Sequence, residues 1–440
     1  MTLVSELELP EFDYTDPALR GARFHAAMAE LRNPAHGVGT GWLARGPYGY
    51  MVLDREAAEF FLRTRAATFP GMKIAEIFGV SEGPLYEQMQ RNILHVNGPD
   101  HARLRGLINP ALSPRAVQRY APAMREFLQE LLADAVAGSS GEPFDARASN
   151  AGATVRCEFV GAFAKRFPSQ VIATVMGAPL ADAPRLHHWS NWIQRQFDAA
   201  SMASERDQIE LAVGEFYAYA EALLGERRRA PGDDLMSKLL AATYTGDDAD
   251  PARPAERLSD VECINLVFNV LAGGVDTTQS QLAHAMRLLA EHPEQWQQLV
   301  ADRSLAQAAV EEALRFEPIT PFTARITSEQ LTYRDVTFPQ GTIVMVCAFT
   351  GNRDLAADEQ GPGGPDSFDI AADRGHARSL TFGAGVHYCV GANLARLELT
   401  EALSFLAQRV RAVELDGEPA FESITGIYGL AALPLRLTLA

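Results

Sequence analysis

The segment 382–391 reads FGAGVHYCVG and holds one cysteine, Cys389, in a glycine-rich loop that leads into a predicted helix. The glycines permit positive φ and remove side chains where the loop must pass close beneath a flat ligand. Unpaired N–H groups at the start of the following helix lower the pKa of a nearby thiol and donate hydrogen bonds towards its sulfur. These features predict a thiolate bound to haem iron, with His387 placed to contact a haem propionate.

Two other interpretations of Cys389 are weaker. A lone cysteine in a globular chain is usually a small buried side chain without chemistry, but here the pattern FGxGxHxCxG fixes six positions in one short loop. A structural zinc site needs four ligands. The sequence offers no C-x-x-C or H-x-x-x-H pair to add to His387 and Cys389.

A long uninterrupted helix is predicted over residues 260–292, and its middle is apolar on every side, which is typical of a buried helix. Each interior glycine costs a helix about 1 kcal/mol relative to alanine, so the run GGVDTT at 273–278 indicates a role other than stability. A hydroxyl with a carboxylate behind it can relay protons into a dry pocket. Asp276 and Thr277 are therefore the candidate catalytic pair, unless Thr277 only bonds to the carbonyl four residues earlier and bends the helix.

Two further segments place charged residues at helical spacing. Glu312 and Arg315 lie three residues apart in AVEEALRF and can form an ion pair on one helix face. Exposed pairs of this kind contribute little to stability, but apolar residues surround this one. His101 and Arg105 lie four apart, so both side chains can reach carboxylates at the edge of a cofactor.

Together these motifs resemble the cytochrome P-450 family, the haem-thiolate monooxygenases, over most of the chain from about His101 onward. The resemblance implies the cytochrome P-450 fold, which is mainly α with a small β lobe near the N-terminus, as a single haem-thiolate domain over residues 1–440. It implies haem b held between the Gly273 helix and the Cys389 loop, with Cys389 as the metal ligand and Glu312 and Arg315 in a structural role. The implied cofactor-binding residues are His101, Arg105, Gly273, Arg325, Phe382, His387, Cys389 and Gly391.

One segment departs from the family's pattern. Relatives complete the E-x-x-R cluster with an arginine in a P-x-R-F segment before the haem loop. Here the segment reads PDSF, with Ser367 at that place, and Ala372 stands where a second arginine often occurs. Arg374 or Arg378 is the expected replacement.

The implied reaction inserts one oxygen atom from O2 into a C–H bond, by hydroxylation or epoxidation, of an apolar small molecule such as a terpenoid, steroid, fatty acid or polyketide. Relatives driven by peroxide often lack the acid and alcohol pair, so that pair favours O2. A peroxide-driven or non-oxygenating haem-thiolate enzyme and a non-catalytic haem sensor stay open as alternatives. By analogy the apolar substrate pocket is lined by Phe268, Val270, Ala272, Ile319 and Ile427. For any one of these five side chains taken singly, core packing is the preferred explanation.

Composition and motifs limit the partners. A net charge of −17 argues against nucleic acid, and no apolar run is long enough to cross a membrane. The acidic N-terminus lacks the features of a secretory signal, and the four cysteines form no disulfide framework, so a cytoplasmic monomer is expected. The chain has no flavin, nicotinamide or iron–sulfur signature, which implies electrons from a ferredoxin and an NAD(P)H-dependent ferredoxin reductase. An acidic ferredoxin is expected to dock on a basic patch of Arg103, Arg374, Arg378 and Arg396.

Overall fold

The computed structural model describes residues 1–32, 41–140, 152–244, 256–356, 361, 363–374 and 378–440. The linker-like stretch 243–256, which composition predicts to be a surface loop, lies outside the described residues except at its two ends. Those ends pair as two short antiparallel strands, in which Thr243 lies opposite Arg257 and Tyr244 opposite Glu256.

Helices make up most of the described chain. Their bounds, in chain order, are α1 (Gly21–Leu31), α2 (Arg55–Arg63), α3 (Lys73–Ile77), α4 (Pro84–Arg91), α5 (Gly98–Ile108), α6 (Pro114–Val117), α7 (Ala121–Ser140), α8 (Arg166–Met176), α9 (Ala183–Gln194), α10 (Ala199–Ser204), α11 (Arg206–Arg229), α12 (Leu235–Ala241), α13 (Asp260–Gly274), α14 (Asp276–Glu291), α15 (Pro293–Ala301), α16 (Ala306–Phe316), α17 (Ala348–Gly351) and α18 (Ala392–Arg409).

The strands are short. They are β1 (Thr2–Leu3), β2 (Leu43–Gly46), β3 (Gly49–Val52), β4 (Ala67–Thr68), β5 (Thr154–Glu158), β6 (Thr243–Tyr244), β7 (Glu256–Arg257), β8 (Phe322–Thr327), β9 (Leu331–Tyr333), β10 (Val336–Phe338), β11 (Ile343–Cys347), β12 (Val410–Leu415), β13 (Ala420–Phe421), β14 (Leu430–Ala432) and β15 (Pro434–Leu439). The prediction of a mainly α fold with a small β lobe is confirmed.

The β lobe joins strands that are far apart in sequence. Its largest sheet has the order β2-β3-β11-β8-β4. Strand β3 pairs in parallel with β11, and β11 pairs antiparallel with β8, where Val344 lies opposite Arg325. The N-terminal strands thereby fix the strand that carries Arg325.

The predicted helix over 260–292 is interrupted, so the expectation of one continuous helix is wrong. Helix α13 begins with a capping box between Ser259 and Glu262 and ends at Gly274, and α14 begins at Asp276. Between them Val275 has φ −90° and ψ −72°. The Thr277 hydroxyl donates to the Gly273 carbonyl at 2.5 Å, and such back-bonding bends helices. The interior glycines and Thr277 are the features of the sequence that indicate a bend at this point.

Close packing accounts for one of the glycines at the break. A Cβ on Gly274 would lie 2.5 Å from Cδ1 of Ile172 on α8, so a larger residue here would require the Ile172 side chain to move. Helices α13 and α14 lie in the largest hydrophobic core, together with residues of α7, α8, α9, α11, α16 and α18. Of the described helices, none has both the length and the apolar composition needed to span a bilayer.

Candidate active site

A cavity of about 460 Å³ lies between the break in the α13–α14 pair and the loop at 382–391. Seven of the eight predicted cofactor-binding residues line it, and they come from segments spread over almost 300 residues: His101, Arg105, Gly273, Arg325, Phe382, His387 and Cys389. The eighth, Gly391, precedes α18, and a Cβ placed on it would lie 4.0 Å from the Cys389 sulfur.

The loop around Cys389 is shaped by its glycines and by one backbone hydrogen bond. Gly383 and Gly385 have φ of 68° and 73°, which is the left-handed region that favours glycine. A Cβ on Gly385 would lie 2.4 Å from the Leu62 carbonyl oxygen. The Cys389 N–H donates to the Phe382 carbonyl at 3.0 Å and closes the loop.

The environment of the Cys389 thiol combines burial with hydrogen-bond donors. Burial raises the pKa of this thiol, while the backbone N–H groups of Gly391 and Ala392 and the charge of Arg105 act to lower the pKa. A buried thiol needs a strong counter-charge to ionise, and a bound metal cation supplies one. The helix N-terminus and Arg105 leave the sulfur suited to that role.

One rim of the cavity concentrates basic side chains. Arg325 is 3% exposed, and among the residues that the structure describes its guanidinium donates only to the Ala324 carbonyl. Burial lowers the pKa of Arg325 to about 10. Burial also lowers the pKa of His101 to about 4 and that of His387 to about 3. Both histidines are therefore uncharged at neutral pH, whereas Arg325 is a buried cation with no carboxylate partner among the described residues. Such a cation is stable only beside an anion, and a carboxylate of haem fits this requirement.

Asn97 orients His387, and sequence reasoning missed it. His387 Nε2 donates to Asn97 Oδ1 at 2.9 Å, while His387 Nδ1 is buried without a partner in the described part of the chain. The rings of His387 and His101 lie 4.2 Å apart. In the neutral ring Nδ1 carries no proton; a cofactor carboxylate beside it would favour the doubly protonated ring, in which Nδ1 would donate to that carboxylate. The only signal in the sequence is that Asn97 precedes the H-x-x-x-R helix, and this does not identify its partner.

Asp276 and Thr277 lie at the start of α14, and only one of them lines the cavity. Thr277 lines the cavity, and its hydroxyl donates to the Gly273 carbonyl. Asp276 is 5% exposed and points towards α9, where the Ser190 hydroxyl donates to Oδ2 at 3.1 Å. Its Oδ1 has no partner within the described ranges. Burial raises the pKa of Asp276 to about 6, against the hydrogen bonds of Ser190 and Asn191, so the carboxyl can exchange a proton near neutral pH.

The prediction for the substrate pocket is partly wrong. Ile319 and Ile427 line the cavity, whereas Phe268, Val270 and Ala272 do not. The Phe268 ring instead packs 5.7 Å from Phe216 and 5.6 Å from Tyr217 on α11. The reason is helical spacing, because residues 269, 273 and 277 share the face that meets the cavity, while 268, 270 and 272 fall on other faces.

The cluster at Glu312 is complete despite the departure at Ser367. Arg315 donates to Glu312 Oε2 at 2.7 Å, and Arg374 donates to Oε1 at 2.8 Å. Arg315 also donates to the Ser367 carbonyl at 2.7 Å. Burial acts to raise the pKa of Glu312, but the guanidinium groups of Arg315 and Arg374 hold that pKa below its ordinary value. Of the two expected replacements, Arg374 fills the place, and the exposed Arg378 does not.

The predicted basic patch is wrong in its composition. Arg103 pairs with Glu262, Arg374 with Glu312, and Arg396 with Glu311 at 2.5 Å. Because carboxylates on the chain already neutralise these three arginines, they present little net positive charge to a partner.

Comparisons with known proteins identify relatives over nearly the whole chain. The family model for cytochrome P-450 matches residues 23–423. Luteothin monooxygenase of Streptomyces thioluteus is 33% identical over 435 residues, covering 98% of this chain and 96% of that protein. Erythromycin C-12 hydroxylase of Saccharopolyspora erythraea is 30% identical over 394 residues, covering 88% of this chain and 89% of that protein. The crystal structure of CalO2 has a TM-score of 0.81 at 28% identity, over 98% of this chain and 99% of that one.

Proposed function

Because this chain belongs to the cytochrome P-450 family, it is a monooxygenase that uses haem b, and we propose that it hydroxylates or epoxidises an apolar, polyketide-like small molecule. The observation that carries the proposal is the cavity itself, because Cys389 and the basic rim line the same cavity as Gly273 and Thr277.

The basic rim and the cysteine would hold the cofactor. Cys389 would be the axial ligand, and the propionates would meet His101, Arg105, Arg325 and His387. When bound, haem supplies the iron at which O2 is reduced and a C–H bond is oxidised, and a thiolate ligand favours that chemistry. Phe382 closes the cavity beside the sulfur, and the Arg396 guanidinium lies over its ring at 4.5 Å.

Asp276 and Thr277 would deliver the protons that reduction of O2 consumes. Thr277 lines the cavity, and its hydroxyl proton, which rests on the Gly273 carbonyl, would turn into the cavity to be donated. Asp276 faces Ser190 on α9 rather than the cavity, so its proton would reach the hydroxyl through an intervening water or by rotation of the carboxyl. A carboxyl with a pKa of about 6 suits this exchange at neutral pH.

The substrate class and the electron donors are inferred from the relatives and the cavity. The relatives are named for luteothin and erythromycin, and the cavity has a largely apolar lining, which favours a molecule with a large apolar body. Because the chain has no flavin, nicotinamide or iron–sulfur signature, a ferredoxin and its reductase would supply the electrons.

Two measurements test the proposal. The reduced protein under carbon monoxide should show the red-shifted absorption that thiolate ligation gives, and Cys389→Ser should lose it. The haem-loaded protein with a surrogate ferredoxin, its reductase and NADPH should then oxidise members of a macrolactone panel. Absence of the absorption band would exclude haem-thiolate chemistry, and a normal band without any product would favour a haem sensor.

Thr277→Ala separates the oxygen-driven reaction from a peroxide-driven one. Loss of the hydroxyl should lower the product formed per NADPH about tenfold or more, while turnover driven by hydrogen peroxide, which brings its own protons, should be unchanged. Thr277→Ser should keep most of the coupling. Equal loss in both assays would argue for a role of Thr277 in folding or haem binding.

A further inference from the structure

Three amide side chains line the largely apolar cavity: Asn269 on α13, Gln194 at the end of α9 and Gln281 on α14. Gln281 donates to the carbonyls of Ala313 and Glu317, and its oxygen is sealed in the core without a partner among the described residues. The other two amides are open to the cavity.

Asn269 Nδ2 donates to the Asn265 carbonyl at 2.7 Å, and Gln194 Nε2 donates to the Ala272 carbonyl. A carbonyl oxygen can only accept a hydrogen bond, so each amide must turn its NH2 group towards the helix backbone. The hydrogen bonds therefore fix which atom of each amide remains for a ligand.

The remaining atoms are two acceptors. Neither Asn269 Oδ1 nor Gln194 Oε1 has a hydrogen-bond partner among the described residues, and neither is sealed in the core as a buried unpaired atom. Each oxygen is thus left open on a side chain that borders the cavity. Water can satisfy them while the cavity is free of substrate, but a bound molecule that displaces this water must donate in its place.

Their position relates the acceptors to the site of oxidation. Asn269 precedes Gly273 by four residues, which is roughly 6 Å along a helix, and Gln194 holds the carbonyl of Ala272, the residue just before Gly273. Gly273 in turn accepts from the Thr277 hydroxyl. Asn269 therefore lies about one helical turn from Gly273, and Gln194 bonds to the residue beside Gly273, so both acceptors lie near the part of α13 that Thr277 contacts.

The other residues that line the cavity indicate the polarity of the molecule that it binds. Most of the cavity lining is apolar, and it includes the hydrocarbon side chains of Ile74, Phe78, Ile93, Leu94, Phe197 and Ile427. An apolar surface with two fixed acceptors is matched by a mostly apolar molecule that carries a donor at one place. A fully apolar hydrocarbon would leave both amide oxygens unpaired.

We propose that Asn269 and Gln194 select substrates by accepting hydrogen bonds from a hydroxyl or N–H group of the bound molecule. This inference rests on the proposed function and deepens it. It divides the apolar candidate substrates into those that carry a hydrogen-bond donor and those that do not. Discrimination arises because a site built to pair with a donor rejects the analogue that lacks one.

The test uses matched ligands on the haem-loaded protein. Each pair consists of a macrolactone with one free secondary hydroxyl and the O-methyl ether of the same compound, and a panel of such pairs varies the hydroxyl position. Binding is measured by the spin-state shift of the haem spectrum and, independently of the spectrum, by equilibrium dialysis. The variants are Asn269→Leu and Gln194→Met. Gln196→Met is the control, because the Gln196 amide likewise donates to a backbone carbonyl, that of Ile193 at 2.8 Å, but does not line the cavity.

The wild-type protein should bind at least one alcohol about tenfold more tightly than its ether. Asn269→Leu, Gln194→Met or both should reduce that ratio towards one without weakening the ether, and Gln196→Met should leave the ratio unchanged. A ratio near one in the wild-type protein, a ratio unaffected by both variants, or no binding of any pair would overturn the proposal. Failure of the proposed function appears separately, as loss of the carbon monoxide spectrum or of product formation.

Discussion

Arg374 lies seven residues beyond Ser367 and donates to Glu312 Oε1 at 2.8 Å. Arg315 holds the other carboxylate oxygen at 2.7 Å, so the buried Glu312 carries two cations. The positive charge that relatives supply from P-x-R-F is thereby supplied from a later position. The side chain also reaches the Ser367 carbonyl at 3.2 Å and so ties the segment before the haem loop to α16.

Arg374→Met should lower the free energy of unfolding by about 1–3 kcal/mol, because a buried carboxylate loses one of its two charged partners. Urea titration of the haem-loaded protein measures this change. Arg378→Met is the matched control, since that side chain is exposed, and it should be within about 0.5 kcal/mol of wild type. Equal effects of the two substitutions would show that Arg374 is not part of the cluster.

Asp276→Asn should change how stability depends on pH. Burial raises the pKa of the folded carboxyl to about 6 from 3.8, so the folded state holds this proton more tightly than the unfolded state does. The contribution of this proton to the free energy of unfolding is fully present below the pKa of Asp276 in the unfolded state. It is lost as pH rises through the pKa in the folded state. Between about pH 5 and pH 7.5 the wild type should lose about 1 kcal/mol relative to the asparagine variant.

Urea titrations of both proteins at several pH values measure this difference in the free energy of unfolding. A constant difference across that range would show that Asp276 titrates as it does in the unfolded chain. A difference of opposite sign would mean that a cation such as Lys165 or Arg195, both of which act to lower the pKa, dominates over burial.

Arg325→Leu should speed the loss of haem by about tenfold, because the guanidinium is buried and would have the cofactor carboxylate as its partner. Transfer of haem to apomyoglobin measures the rate. Arg411→Leu on β12 is the control, because that residue is exposed and far from the cavity lining, and its rate should equal that of wild type. Unchanged haem loss in Arg325→Leu would place the propionates elsewhere.

Gly385→Ala should disrupt haem binding, whereas Gly383→Ala should be tolerated better. Both glycines have positive φ, and alanine there costs about 1–2 kcal/mol. Of the two, only Gly385 would also clash with the backbone, because a Cβ there would lie 2.4 Å from the Leu62 carbonyl oxygen. A Cβ on Gly383 would have no atom within 4 Å. The haem content of the two purified variants, with the carbon monoxide spectrum, checks the order. Equal haem content would mean that strain rather than the clash decides.

The sequence could predict the residues whose role is fixed by local spacing. The Cys389 loop, the Glu312–Arg315 pair and His101 with Arg105 each depend on a short segment, and each lies where its spacing predicts. The contact between Asn97 and His387 joins residues 290 positions apart, and no local pattern encodes it. Likewise the rotation of α13 about its axis is set by packing against α9 and α11. The apolar pattern therefore could not show that Asn269 rather than Phe268 faces the cavity.

The break at Val275 leaves the two helices coupled. Asn269 lies on α13, and Asp276 and Thr277 open α14, but the Thr277 hydroxyl bonds to the Gly273 carbonyl, and the Ser190 hydroxyl bonds to both the Leu271 carbonyl and Asp276. We expect a bulky substrate that displaces the Asn269 turn also to shift the alcohol and the acid, so the fraction of oxygen use that yields product should vary with substrate shape.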